Sequence, residues 1–306
     1  MDFLYFLEGL RTPWLDAVVG ALTHLGGELV FLIAALIVFW CVDKRQGYYL
    51  LSVGFLGTLV NQFLKITCRI PRPWDRDPKF TIVESARAEA TGYSFPSGHS
   101  TSSVGTFGVI ATDSRKLWIR LVSVTLCLLI PLTRLYLGVH TPADVLVGSA
   151  ISLFFIIILR PIIYQNEGRH LPKLLFVMLV LAGAFVAYME LFPFPSNVDR
   201  DNLHSALENS YTLLGALLGM IVVWCADRKL NFPTAAVWYA QILKAVLGLA
   251  IALAVKAGLK MPLNALFGGH MAARSVRYFL LVLTVGIVWP LTFPWFAKLG
   301  RKDESK

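Results

Sequence analysis

The sequence predicts an all-α, polytopic membrane bundle of about nine transmembrane helices, and three observations carry that prediction. Of 306 residues, 56% are hydrophobic and 15% charged, with a mean hydropathy of +0.64. Soluble domains run about 45–50% apolar and about 25% charged, so this chain holds more apolar surface than a globular core can bury. The apolar residues fall into runs near the ~20 that cross a bilayer. Lysine and arginine collect in alternate loops, the bias of a cytoplasmic side.

Residues 1–24 open as MDFLYFLEGLRTPWLD. Asp2 and Glu8, with no basic start or small-residue cleavage site, argue against a secretory signal. Leu, Phe and Trp among a few charges suit a helix lying in the membrane interface. Spans are then expected at 25–42, 47–66, 98–113, 117–137, 142–163, 173–192, 207–226, 235–258 and 276–298. The third, GHSTSSVGTFGVIATD, is too polar for a hydropathy scan. Its Gly, Ser, Thr and Ala suit a helix packed among other helices. Lys244 falls near the middle of the eighth span, where a charge costs roughly 2.5–3.5 kcal/mol on insertion scales, and is expected to snorkel toward the cytoplasm. Cys41, Cys127 and Cys225 lie in apolar runs and Cys68 near a helix end, so neither a disulfide nor a zinc site is expected.

With the first loop on the cytoplasmic side, that side collects Lys44, Arg45, Arg115, Lys116, Arg120, Arg160, Arg169, Lys173, Arg228, Lys229, Lys298, Arg301, Lys302 and Lys306, half of the 28 basic residues. Six others crowd into one opposite-side segment, Lys65 to Arg87, against the rule. An exception of that size signals function. The net charge of +9 is read as contact between cytoplasmic loops and anionic membrane lipids. No nucleic-acid partner is expected, and no protein partner can be named from the sequence.

Three blocks on the non-cytoplasmic side carry the chemistry. In LKITCRIPRPW, the spacing of Lys65, Arg69 and Arg72 puts them on one helical face, while Pro71 and Pro73 hold Arg72 extended. In FPSGHS, Ser97 is an N-cap, Gly98 allows close backbone approach, and His99 stands in the first turn of a helix whose free N–H groups suit an anion. In TRLYLGVHTPAD, Pro142 and Asp144 suit a helix start, and His140 lies four residues before that carboxylate. Asp144 can hold one imidazole nitrogen of His140 and leave the other as a nucleophile, and Arg134 adds a fork that matches phosphate oxygens. Each block alone fits snorkelling anchors or a plain capped helix. Together they gather three cations, a helix N-terminus, two histidines and one carboxylate, the parts that phosphoryl transfer needs. No Asp/Glu cluster of the kind that holds magnesium accompanies them.

The pattern Lys65-x6-Arg72-Pro73, then Pro96-Ser97-Gly98-His99, then Arg134-x5-His140-x3-Asp144 resembles the three-part signature of the type 2 phosphatidic acid phosphatase superfamily. Thr133 stands where that family usually has Ser before the Arg, and keeps the hydroxyl. The resemblance covers a six-span phosphatase core at 25–195. It implies that His140 attacks phosphorus, held by Asp144, and that His99 protonates the leaving alkoxide. Lys65, Arg72, Ser97, the Gly98 amide and Arg134 would bind the phosphate, with no metal and no cofactor. Residues 196–306 add three spans, a plan similar to the glucose-6-phosphatase and sphingosine-1-phosphate phosphatase groups. Phe192 and Phe194, and His270 and Arg274 in the last outer loop, are candidate contacts to a substrate tail or head group.

The expected activity is therefore that of an integral-membrane phosphatase set in the bacterial cytoplasmic membrane, with its site on the non-cytoplasmic face. It would act on a lipid phosphate monoester or isoprenyl (di)phosphate. A sugar-phosphate phosphatase and a lipid-to-lipid phosphotransferase would use the same catalytic residues. A transporter or channel would place ionisable groups near the midplane rather than at span ends.

Overall fold

The computed structural model describes residues 1–165 and 169–299, and the regular elements among them are all helical. In order they are α1 (Asp2–Glu8), α2 (Pro13–Thr23) with a 3₁₀ turn His24–Gly26, α3 (Glu28–Cys41), α4 (Lys44–Cys68), α5 (Pro73–Arg76), α6 (Gly98–Asp113), α7 (Leu117–Tyr136) and α8 (Pro142–Tyr164). There follow α9 (Leu171–Leu191), α10 (Arg200–Leu230), α11 (Trp238–Gly258), α12 (Lys260–Leu266), α13 (Ala272–Leu283) and α14 (Phe293–Lys298). The expected basic residues Arg301, Lys302 and Lys306 lie outside the described residues.

Among the described residues, seven helices are long and apolar enough to cross a membrane. They become eight if α2 with its 3₁₀ turn and α3, bent by 48°, count as one broken span. The chain is an integral membrane protein. Two of the nine expected spans are short: α3 has 14 residues and α6 has 16. At 1.5 Å per residue these reach about 21 and 24 Å, less than a ~30 Å hydrocarbon core. Helix α10 starts at Arg200 rather than near 207, because the Asp199 side chain accepts from the Asn202 amide at 2.8 Å and caps a polar first turn. Between α13 and α14 a π turn, Thr284–Val288, and a 3₁₀ turn carrying Pro290 absorb the missing proline N–H.

The chain divides into two compact units. The first takes Met1–Ala34, Tyr49–Gln165 and Pro193–Ala206. Its centre is α6, packed along α7 and α8 with Ser100, Ser103, Val104, Gly105 and Thr106 buried. Glycine makes the approach close: a Cβ on Gly148 would lie 2.5 Å from the Ser97 carbonyl oxygen. Leu128, Phe154 and Ile157 point outward, as lipid-facing side chains do.

The second unit takes Ala35–Tyr48 and the described parts of Asn166–Phe192 and Leu207–Lys306. Here the expectation for Lys244 fails. It is buried, donates to the carbonyls of Trp40 (2.9 Å) and Thr234 (2.8 Å), and sits 4.5 Å from the centre of the Phe293 ring. Two carbonyl acceptors and an aromatic face replace the water that snorkelling would have reached. All four cysteines are free thiols.

Candidate active site

Four helix ends of the first unit supply the side chains. Helix α7 closes in a Schellman turn: Gly138 (φ +80°) donates to Leu135 and Val139 donates to the Arg134 carbonyl. That turn reverses the chain immediately after Arg134 and delivers His140 to the start of α8. Pro142 occupies the first turn of α8, and Thr141 caps it in a reciprocal box. The Asp144 side chain accepts from the Thr141 amide at 2.7 Å. At the start of α6, Ser97 caps with its hydroxyl, which accepts from the Ser100 amide. Its own amide donates to the Asp144 carbonyl at 2.9 Å, tying the two helix starts together. The first-turn amides of Gly98 and His99 have no acceptor within the helix.

Arg72 does not share a helical face with Lys65 and Arg69. Helix α4 stops at Cys68, Arg69 turns to φ +52°, and Arg72 stands extended before α5 (φ −67°, ψ 158°), held by its flanking prolines. This places its guanidinium, 4% exposed, inside a cage of acceptors. It donates to the carbonyls of Gly92 (3.0 Å), Val139 (2.8 Å) and Thr91 (2.7 Å), and from Nη1 to His140 Nε2 at 3.0 Å. Lys65 donates to the Tyr93 carbonyl.

Because Arg72 can only donate, Nε2 of His140 must be the acceptor, and the ring proton belongs on Nδ1. Nδ1 lies 3.4 Å from Asp144 Oδ2 and 3.5 Å from the Ser94 hydroxyl, which itself donates to Asp144 at 2.5 Å. Burial first, then the positive fields of Arg72, Lys65, Arg134 and His99, push the His140 pKa well below that of an ordinary histidine. A neutral imidazole with an oriented lone pair is the result.

Arg134 is fully buried. Its Nη1 donates to the Thr23 hydroxyl at 2.8 Å, while Nε and Nη2 find no partner among the described residues. Two donors left over by the protein on a buried cation suit an anionic ligand. His99, at the mouth of α6, meets Glu89 at 3.2 Å from Nε2, and Glu89 also meets His24 Nδ1 at 2.6 Å.

A family model described as the PAP2 superfamily matches residues 46–168, and one described as PAP2 superfamily phosphatase, transmembrane extension, matches 211–302. Phosphatidylglycerophosphatase B of Bacillus subtilis is 31% identical over 163 residues, which span 48% of this chain and 76% of that protein. The chain belongs to the PAP2 superfamily. Other relatives include a probable sphingosine-1-phosphate phosphatase of Dictyostelium discoideum, 29% identical over 48% of this chain and 38% of its own length. The lipid A 4'-phosphatase of Bacteroides thetaiotaomicron is 26% identical over 50% of this chain and 72% of its own length. No solved structure matches.

The residues of the PAP2-like pattern, Lys65, Arg72, Ser97, Gly98, His99, Arg134, His140 and Asp144, all fall in the first unit; contacts join Arg72, His140, Asp144 and Ser97 in a chain, while the side chains of Lys65, His99 and Arg134 reach Tyr93, Glu89 and Thr23. Among the remaining candidates, half-buried Phe194 is in the same unit. Phe192, His270 and Arg274 belong to the second. There Phe192 stacks on Tyr188, Arg274 pairs with Glu208 at 2.7 Å and donates to Thr212, and His270 accepts from the Ala272 amide. Sequence reasoning missed the loop Thr91–Ser94, whose carbonyls and hydroxyl hold Arg72, Lys65 and Asp144. It also missed Thr23, His24 and Glu89. The proximity of Ser94 to the Pro96–His99 motif was the only signal for any of them. Among the described residues no group of three or more His, Cys, Asp or Glu gathers in a way that could hold a metal ion.

Proposed function

We propose that this PAP2 protein hydrolyses a lipid phosphate monoester, or an isoprenyl (di)phosphate, through a phosphohistidine on His140 and without a metal. The observation that carries the reading is the buried Arg134 with two unpartnered donors, close enough to neutral His140 to depress its pKa. A phosphate would fill the orphaned donors and draw Arg72 Nη1 away from His140 Nε2. The freed lone pair forms the N–P bond as the P–O bond to the leaving alcohol breaks, and His99 gives that oxygen its proton. Asp144 steadies the Nδ1–H of the resulting imidazolium. Water then attacks phosphorus, His99 takes its proton, and His140 is released with inorganic phosphate. Lys65, Arg72 and Arg134 supply the charge that a metal would otherwise bring.

Three features favour a lipid. The relatives are named as phosphatases of lipid phosphates. The groups proposed to react sit at the ends of α4, α6, α7 and α8, where a phospholipid head group would lie if those helices cross a bilayer. Residues 193–206 lie against the loop that holds the cations, with the Asp199 amide 3.4 Å from the Tyr93 hydroxyl, so Phe194 stands where a tail could leave sideways. On this reading 25–195 is the catalytic core, 196–306 is the extension, and the site faces away from the cytoplasm, in a bacterial cytoplasmic membrane.

The test is a chain-length series of lipid and prenyl phosphates, with glucose 6-phosphate alongside, in one detergent with and without EDTA. kcat/KM should rise with tail length and be unchanged by the chelator. A flat series or preferred glucose 6-phosphate overturns the lipid reading. Loss in EDTA, restored by magnesium, overturns the metal-free mechanism.

A further inference from the structure

Glu89 lies in the loop between α5 and α6, outside every signature block, yet its two carboxylate oxygens reach two histidines from different elements. Oε2 is 3.2 Å from Nε2 of His99, and Oε1 is 2.6 Å from Nδ1 of His24. His24 begins the 3₁₀ turn whose Gly26 lies against the His99 ring; a Cβ there would come within 3.4 Å of Cδ2. The ring is thus held by a carboxylate on one nitrogen and by backbone on one edge. Its other neighbours are cations: Arg134 of α7 and Arg72 both press positive charge on it, and His140 lies within electrostatic reach. Glu89 is the anion that acts on His99. Partial burial opposes ionisation of Glu89, but His24, His99 and Arg134 outweigh it and hold this carboxyl below the usual range.

We propose that Glu89 is the positioning residue for His99: it binds Nε2–H, opposes the field of the arginines on the ring, and turns Nδ1 toward the leaving-group oxygen to carry the proton there, with His24 fixing Glu89 in place. The site then has two carboxylate–histidine pairs of opposite use. Asp144 holds Nδ1 so that Nε2 of His140 attacks, and Glu89 holds Nε2 so that Nδ1 of His99 donates. In the transfer the Nδ1–H proton passes to the alkoxide as the P–O bond breaks, and His99 remains neutral with Nε2–H still on Glu89. The inference rests on the reading of His99 as the proton donor.

The test compares Glu89→Gln, His24→Asn and His99→Gln with the parent enzyme on a long-chain alkyl phosphate and on p-nitrophenyl phosphate, across pH. An alkoxide needs the proton and a nitrophenolate does not; general acid catalysis contributes about 10²–10⁴-fold. Glu89→Gln should lower kcat on the alkyl ester by about tenfold to a hundredfold and change aryl turnover by less than about threefold. Removing the anion makes His99 lose its proton more readily, so the alkaline limb of kcat/KM on the alkyl ester should move to lower pH. His24→Asn, at a largely exposed position, should show the same selectivity at smaller size, so the question does not depend on one variant folding. Equal losses on both esters with an unmoved alkaline limb, in either variant, overturn the role of Glu89. His140→Ala separates the two levels: complete loss on both esters leaves the parent reading standing whatever Glu89 does, and retained turnover removes it.

Discussion

At the scale of single residues, the site consists of charged and ionisable groups, each placed by a specific partner. Arg134 should be the most costly cation to lose, because its two open donors are held in a fixed fork that a lysine cannot copy. Arg134→Ala and Arg134→Lys should each lower kcat/KM by on the order of 10²–10³, as for one oxyanion donor. A lysine variant within about threefold of the parent would contradict the fork. His140 has a separate effect on stability. Its folded pKa is depressed, so between that value and the ordinary ~6.5 the unfolded chain binds a proton that the folded one does not. Stability therefore rises with pH through that window and is lost as pH falls below ~6.5. The Tm of the parent should drop toward that of His140→Gln between pH 7.5 and 5, and parallel curves would refute it. The sequence displayed the reacting residues because their spacing is rigid. Glu89, His24 and Thr23 were invisible because nothing along the chain records which carboxylate or hydroxyl ends beside which ring.

Helices set those partners in place, and their ends matter more than their lengths. Helices α6 and α8 approach at Gly148, where an added Cβ would also lie 3.2 Å from Thr101 Oγ1 and 3.3 Å from Ser100 Cβ. Since the nearest obstacle is a backbone oxygen, Gly148→Ala should cost about 1–3 kcal/mol and disturb the first turn that carries Ser97 and His99. Gly183→Ala on α9, with nothing within 4 Å of the new atom, should be neutral or stabilise by up to about 1 kcal/mol. Thermal unfolding in detergent and turnover, measured on both, check this contrast; an active, stable Gly148→Ala protein would defeat it. Helix starts were legible in part: Ser97, Pro142 and Asp144 stand where helix-start chemistry requires, but the Thr141 cap that completes the box with Asp144 was not read. Helix lengths were less so. Apolar runs mark what lipid tolerates, whereas α10 begins where Asp199 caps it, and the α2–α3 bend at Gly27 falls near where the expected interfacial helix gives way to the first span.

Across the whole molecule, basic loops give a direction as well as a fold. Native Cys68 and Cys225 are exposed and must first be replaced. Single cysteines at Glu84 and at Lys116 should then label from opposite faces of sealed vesicles, because α6 separates their loops and the Lys116 loop carries the cytoplasmic charge bias. Labelling from one face would remove α6 as a crossing element. The membrane character of the chain was plain from composition, but its division into two units was not, since Ala35–Tyr48 joins the second unit by contacts that no local pattern encodes. Lys65, Arg72, Ser97, His99, Arg134, His140 and Asp144, with Glu89 and Ser94, lie on one uninterrupted stretch, residues 65–144, inside the 46–168 match. A gene segment of that extent carries the signature residues intact. It leaves out Thr23 and His24, however, so a fragment cut to that stretch would lose the hydroxyl partner of Arg134 and the second histidine on Glu89.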